Sequence, residues 1–204
     1  MPNWVLATGN PGKLKELQAL LADLRVIIKP QSEFAVPEAE ETATTFVENA
    51  LIKARNAALH TGFPAIADDS GIEVDALAGA PGVYSARYAG SPGSDRANVD
   101  KLLAALAAVP EHGRGARFQC VLVYMRHAAD PTPLICQAAW EGRIARAPRG
   151  EHGFGYDPVF YLADFGKTAA ELDPAVKNRL SHRAQALQKL RAALIPLLSG
   201  DHHD

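Results

Sequence analysis

The chain has 204 residues, of which 48% are hydrophobic and 22% charged, a composition that supports a sizeable core and excludes a disordered or low-complexity chain. A formal net charge of −2 argues against a protein that coats nucleic acid, which leans on a basic surface. No apolar stretch reaches the length of a membrane span, and Met1-Pro2-Asn3-Trp4 has no basic segment running into a long apolar one, so a cytoplasmic protein with no membrane partner is expected.

The first predicted unit is a strand over 4–7, a turn at Thr8-Gly9-Asn10-Pro11-Gly12, and a helix over 13–21 with Leu14, Leu17 and Leu21 on one face. A strand, tight loop and helix in that order bring backbone N–H groups and the positive end of a helix dipole to one point. Lys13 adds a full charge, which suits a phosphate chain. The loop is neither a Walker A sequence nor a dinucleotide fingerprint, because Gly9 and Gly12 are too close and no Gly-Lys-Ser/Thr follows.

After the short apolar run Val26-Ile27-Ile28 comes an acidic loop with Glu33, Glu38, Glu40 and Glu41. Thr45 and Glu48 have capping-box spacing, which predicts a helix over 46–60 that stops at Gly62 and buries Phe46, Val47, Ala50, Leu51 and Ala54. Asn49, Lys53 and Asn56 recur at helical spacing on another side, either as solvated surface or as a way to carry a lysine towards the phosphate loop.

Pro64-Ala65-Ile66-Ala67-Asp68-Asp69-Ser70-Gly71 places two adjacent carboxylates at the end of a short buried strand, closed by Gly71, with a further extended segment over 72–77. Two carboxylates there repel each other and lose hydration unless a cation or firm donors compensate them. One of them could instead cap a turn while the other faces water. A site for a hard divalent cation is the sharper reading, since carboxylate oxygens are what Mg²⁺ takes.

Beyond Tyr84-Ser85-Ala86-Arg87-Tyr88, a helix is expected over 95–108 with Leu102, Leu103 and Leu106 on its core face. Strands over 118–124 and 134–140 read as a hairpin across Asp130-Pro131-Thr132-Pro133. A hairpin after βα units implies a mixed sheet. Cys120 and Cys136 fall in these strands and read as reduced core thiols. Gly150, Gly153 and Gly155 surround Phe154, followed by Tyr156-Asp157-Pro158. Rigid rings in such a loop suit stacking on a flat heterocycle, with a core aromatic cluster as the alternative. Lys177, Ser181, His182 and Arg183 gather donors at the start of a final helix over 181–198, whose Leu187, Leu190, Leu194 and Leu197 recur at helical intervals. One domain over 1–199 and a frayed polar tail over 200–204 are expected.

Taken together, Thr8-Gly9-Asn10-Pro11-Gly12-Lys13, Thr45-Phe46-Val47-Glu48-Asn49-Ala50 with Lys53-Ala54, Ala67-Asp68-Asp69-Ser70-Gly71, Gly79-Ala80-Pro81-Gly82 with Ser85-Ala86-Arg87-Tyr88, Gly153-Phe154-Gly155-Tyr156-Asp157-Pro158 and Ser181-His182-Arg183 resemble the non-canonical purine nucleoside triphosphate pyrophosphatase family, the inosine/xanthosine triphosphate pyrophosphatases. The resemblance implies an elongated α/β fold with a central mixed sheet flanked by helices, two lobes with an active-site cleft between them, and a homodimer. It also implies Mg²⁺-dependent hydrolysis of dITP, ITP and XTP to the monophosphate and pyrophosphate, clearing damaged purines from the nucleotide pool. Two positions depart from the pattern, Ala43 and Ala184, where the family commonly has glycine.

Carried over residue by residue, the resemblance assigns the triphosphate to Thr8, Gly9, Asn10, Pro11, Gly12 and Lys13 with help from Lys53. It makes Glu41 and Asp69 the Mg²⁺-linked carboxylates, and Asp69 the proton acceptor supported by Asp68. Ser70, Phe154, Gly155, Tyr156, Asp157, Lys177, His182 and Arg183 are then the nucleotide contacts. The chemistry agrees, because expelling pyrophosphate needs charge neutralisation, in-line positioning and a base for water. A purine-nucleotide sensor that turns nothing over is the rival from another class. The number of carboxylates beside a phosphate site argues against it. A pyrophosphatase for modified pyrimidines and a dinucleotide-dependent dehydrogenase fit the motifs less well.

Overall fold

In chain order the strands are β1 (Asn3–Leu6), β2 (Ile27–Pro30), β3 (Ala65–Val74), β4 (Gly115–Met125), β5 (Leu134–Ile144), β6 (Phe160–Leu162) and β7 (Lys167–Thr168). The helices are α1 (Pro11–Leu20), α2 (Phe46–Thr61), α3 (Asp95–Ala105), α4 (Pro174–Leu180) and α5 (His182–Ser199). These assignments come from a computed structural model that describes residues 1–91 and 93–199, and the tail expected to fray, Gly200-Asp201-His202-His203-Asp204, lies outside the described residues. The strands form one sheet in the order β2-β1-β3-β4-β5-β6-β7. Strand β1 pairs in parallel with β2 and β3, with Leu6 opposite both Pro30 and Ile66, whereas β6 pairs antiparallel with β5 and β7. The sheet is therefore mixed, as the switch from βα units to a hairpin pattern implied. Strands β4 and β5, expected to pair, are neighbours.

The chain divides into two compact units, one made of Met1–Asp69, Cys120–Ala138 and the chain from Gln185, the other of Ser70–Gln119 and Ala139–Ala184. Each has its own core. In the first, Trp4, Leu6, Leu17, Ile66, Leu122 and Leu190 are buried together, and the Trp4 and Tyr124 rings lie 4.7 Å apart. In the second, Ile72, Leu102, Phe118, Trp140, Ile144 and Phe160 are buried together, with Phe160 in contact with both Phe118 and Trp140. The unit boundaries fall inside β3, β4, β5 and α5, not in linkers.

Helix starts follow the local chemistry closely. Thr45 Oγ1 accepts the Glu48 N–H at 3.3 Å, the N-cap half of the expected capping box, while the Glu48 carboxylate turns to the Thr45 hydroxyl at 2.6 Å in place of the Thr45 backbone N–H; α2 ends on Gly62 in the left-handed region at φ 69°. Helix α3 stops three residues short of the expected Ala108, with Leu106 as its C-cap.

Three expectations are corrected. The strand expected to close at Gly71 and the segment over 72–77 are one ten-residue strand, β3, with Gly71 buried inside it. Its backbone there is held from outside the ladder: the Ile72 N–H donates to Ser85 Oγ at 2.8 Å, so tertiary pairing outweighs the tendency of glycine to end a strand. Leu197 is 44% exposed, unlike Leu190 and Leu194, because the next turn meets the core through Leu198 instead. The stripe on α2 is not uniformly solvated, since Asn49 is fully buried. Both cysteines are buried thiols, and burial pushes the Cys136 thiol up.

Candidate active site

The first group of site residues belongs to the unit that contains β1 and α1. Asn10 caps α1, its Oδ1 accepting the Gly12 N–H at 2.8 Å and the Lys13 N–H at 3.3 Å, while Pro11 occupies the first helical turn, where no donor is needed. The Asn10 N–H in turn donates to Thr8 Oγ1 at 3.2 Å. The loop is thus folded on its own side chains. The donors expected to face a phosphate are held by Thr8 and Asn10. Gly9 and Gly12 sit at the exposed surface of this loop, and a side chain at Gly12 would crowd Asn10 Oδ1 at 3.1 Å.

Strand β3 supplies the carboxylates. Residues 65–69 are all buried, so Asp68 and Asp69 sit inside the strand, not at a solvated end. Each has a lysine. Lys13 Nζ lies 2.8 and 3.0 Å from the two oxygens of Asp68. Lys53 Nζ, delivered by α2, lies 2.8 Å from Glu41 Oε1 and 3.2 Å from Asp69 Oδ1. Consecutive residues of a strand project to opposite sides, which lets two neighbouring carboxylates take two different partners. Burial raises the Asp69 carboxyl above its ordinary range, the Lys53 ammonium opposes that rise and Glu41 adds to it. Burial acts to discharge Lys53, yet Asp69, Glu41 and Asp68 outweigh it, and its ammonium is held more firmly than an ordinary lysine's. The α2 stripe therefore does carry a lysine to the carboxylates. It also carries Asn49, whose Oδ1 accepts the Ala43 N–H at 3.0 Å. Sequence reading passed over Asn49 as a site residue. Its signals were its place one helical turn before Lys53 and its position inside the motif Thr45-Phe46-Val47-Glu48-Asn49-Ala50.

The second group belongs to the other unit. Asp157 is 3% exposed and accepts the Phe154 N–H at 2.8 Å and an ion pair from Lys177. Gly153 and Gly155 adopt φ of 83° and 60°, and the Gly155 N–H donates to Asp95 at 2.7 Å. The loop presents Phe154, which is 71% exposed, with Lys177 Nζ 4.9 Å from its ring centroid. Tyr156 instead is buried in the core, its hydroxyl donating to the Ser85 carbonyl at 2.8 Å, and burial raises its phenol well above its ordinary range. His182 stacks on Phe118 at 4.8 Å with 13° between planes, and the Arg183 guanidinium donates to Ser70 Oγ at 3.3 Å. Ser181 Oγ accepts the Ala184 N–H at 3.2 Å, so Ala184 in place of the family's glycine leaves the start of α5 intact. Asp95, a partner of this loop, had no motif to mark it.

A scan against family models matches the Ham1 family over residues 4–193. The chain belongs to the Ham1 family. Among Ham1-related sequences, the dITP/XTP pyrophosphatase of Yersinia pseudotuberculosis is 61% identical over 95% of this chain and 98% of its own. Among solved structures, a HAM1 protein from Coxiella burnetii superposes with a TM-score of 0.93 at 54% identity, covering 96% of this chain and all (100%) of the other. A protein from Mycobacterium abscessus, titled nucleoside-triphosphatase / dITP/XTP pyrophosphatase, reaches 0.79 at 43% identity over 92% of this chain and 98% of its own. The family resemblance read from the motifs and the α/β fold with a mixed seven-stranded sheet both stand on these matches.

Proposed function

We propose that this Ham1-family chain is a Mg²⁺-dependent pyrophosphatase that hydrolyses dITP, ITP and XTP to the nucleoside monophosphate and pyrophosphate. The observation that carries the reading is the convergence of Glu41 and Asp69, from separate segments, on one ammonium at 2.8 and 3.2 Å. Relatives about 60% identical over nearly the whole chain carry the name dITP/XTP pyrophosphatase, which supports the substrate class.

The donor set fits magnesium. Glu41 and Asp69 offer only oxygens, and carboxylates outnumber ammoniums among Glu41, Asp68, Asp69, Lys13 and Lys53. Among the described residues no cluster of three or more histidine, cysteine or acidic side chains could cage a metal. Magnesium suits such a site, because it is held by one or two carboxylates and completes its shell with water and substrate phosphates. When bound, it neutralises charge on the phosphate oxygens.

The chain's own residues do the rest. Lys13 and Lys53 neutralise the triphosphate, and the Thr8 hydroxyl and Asn10 carboxamide release their backbone donors to it. Asp69, whose carboxyl burial makes more basic than an ordinary one, takes the proton of the attacking water. The water oxygen bonds to the α-phosphorus, the bond to the α,β-bridging oxygen breaks, and pyrophosphate leaves with that oxygen. In the second group, Phe154 stacks on the purine and donors from Lys177, His182 and Arg183 meet a six-position keto oxygen. Adenine would set a donor against them.

We take 1–199 as one folding domain, because its unit boundaries lie within strands and a helix, and infer a cytoplasmic homodimer from the family resemblance. Among the described residues no helix is long and apolar enough to cross a membrane. The deciding assay incubates the protein with dITP, ITP, XTP, GTP and ATP, with Mg²⁺ or with EDTA, and measures pyrophosphate separately from orthophosphate. Pyrophosphate from the first three, lost with EDTA, is expected. Tight purine-nucleotide binding without turnover would establish the sensor instead.

A further inference from the structure

Phe154 is 71% exposed, so packing does little to aim the ring that stacks on the purine. Its backbone is aimed instead. The Phe154 N–H donates to Asp157 Oδ2 at 2.8 Å, and the next N–H along, that of Gly155, donates to Asp95 Oδ2 at 2.7 Å. Each N–H belongs to a planar peptide group, one entering Phe154 and one leaving it. Fixing both planes fixes φ and ψ of the residue between them, and with these the direction of its Cα–Cβ bond. The flanking Gly153 and Gly155, both at positive φ, have no side chains to hold that path.

The two carboxylates differ in what they join. Asp157 belongs to the same loop, whereas Asp95 is the first residue of α3, in the same compact unit but 60 residues away. That post is firm. Asn98, buried one turn on, accepts the Ala89 N–H at 2.7 Å and donates to the Ala86 carbonyl at 3.1 Å, and Val99 and Leu102 lie in the core. The cap of α3 is already supplied by Ser94, whose Oγ accepts the Ala97 N–H at 3.4 Å.

We propose that Asp95 is a positioning residue for the purine: its carboxylate ties the peptide after Phe154 to α3 and so holds the ring in the direction from which it meets the base. The assignment rests on the pyrophosphatase reading. An acid in the first turn of a helix has a rival use, easing the positive end of the helix dipole, and that use needs the charge and not the acceptor. Asparagine keeps an acceptor without the charge, and alanine keeps neither.

That difference makes the test. Wild type, Asp95→Ala, Asp95→Asn, Ser94→Ala, Phe154→Ala and the Asp95→Ala/Phe154→Ala double variant are compared for kcat and KM on ITP with Mg²⁺, and for inhibition by inorganic pyrophosphate, which has no base. Asp95→Ala should raise KM about 5- to 10-fold, within the range of one net hydrogen bond. Its kcat and its inhibition by pyrophosphate should stay within about twofold of wild type. Asp95→Asn and Ser94→Ala should also stay within about twofold in KM. In the Phe154→Ala background, where there is no ring to aim, Asp95→Ala should add less than about twofold. An equal rise in Asp95→Asn, or the same rise in Ser94→Ala, would overturn the proposal in favour of helix stability. A full further rise in the Phe154→Ala background, or pyrophosphate inhibition weakened in step with KM, would also overturn it. A wild-type protein that releases no pyrophosphate overturns the functional reading itself, and this assignment with it.

Discussion

Gly153 and Gly155 flank Phe154 and both have positive φ, yet the structure assigns them unequal tolerance of a methyl group. Left-handed backbone costs alanine about 1–2 kcal/mol at either position. At Gly155 nothing lies within 4 Å of the added Cβ, so that cost is the whole effect. At Gly153 the Cβ would overlap Asp157 Oδ2 and lie 3.0 Å from Lys177 Nζ, which pushes apart the ion pair. Asp157 is 3% exposed, so parting it from Lys177 belongs with broken buried pairs, at about 3–5 kcal/mol. The expected total is about 5 kcal/mol for Gly153→Ala. For a chain of this size that lowers Tm by about 10–20 °C, against about 2–8 °C for Gly155→Ala. Scanning calorimetry of the two variants at the same pH reads the contrast directly. Equal losses would refute the view that Asp157 latches this loop, and a Gly153→Ala protein melting with wild type would refute the close approach itself.

Other consequences can be checked as simply. Asp69→Asn should lower turnover of dITP by several orders of magnitude while circular dichroism and melting temperature remain those of a folded protein; an active variant would remove Asp69 from the chemistry. Arg183→Ala should raise KM for ITP relative to any change in melting temperature, and a proportionate loss of both would make the residue structural. The Asp130 carboxyl is held well below its ordinary value by the Arg126 guanidinium, then by the Arg126 and Thr132 N–H groups. A depressed carboxyl stabilises the fold above the unfolded value of 3.8 and loses that contribution as pH falls through 3.8 towards the folded value. The gap in urea midpoint between wild type and Asp130→Asn should thus be full at neutral pH and close in acid, and a gap independent of pH would contradict the assignment.

Much of the site was legible because it depends on short-range chemistry. A capping box, a turn before a proline at the first helical position and a pair of carboxylates after an apolar run are all local patterns. What escaped was set by distant partners. Asn49 has the residue type and spacing of a solvated stripe, and only the arrival of β3 and the Ala43 segment makes its place interior. Gly71 looked like punctuation because local propensity cannot register a hydroxyl from Ser85 that satisfies the backbone beside it. Leu197 and Leu198 both fit the helical period after Leu194, three and four residues on, and only the packing shows that Leu198 takes the core side. Tyr156 and Phe154 sit two positions apart in one glycine-rich loop, one ring engaged with Ser85 and the other open, a division that depends on the backbone path between them.

The neighbouring acids of β3 carry a further implication for how this gene can vary. Side-chain direction alternates with every step of an extended backbone, so Lys13 and Lys53 can each find a counterion only while the count of residues leading to Asp68 keeps its parity. Losing or gaining one residue ahead of the pair would hand each lysine the wrong neighbour, even though no charge had been deleted. Length, and not only chemistry, is inherited at this point of the chain.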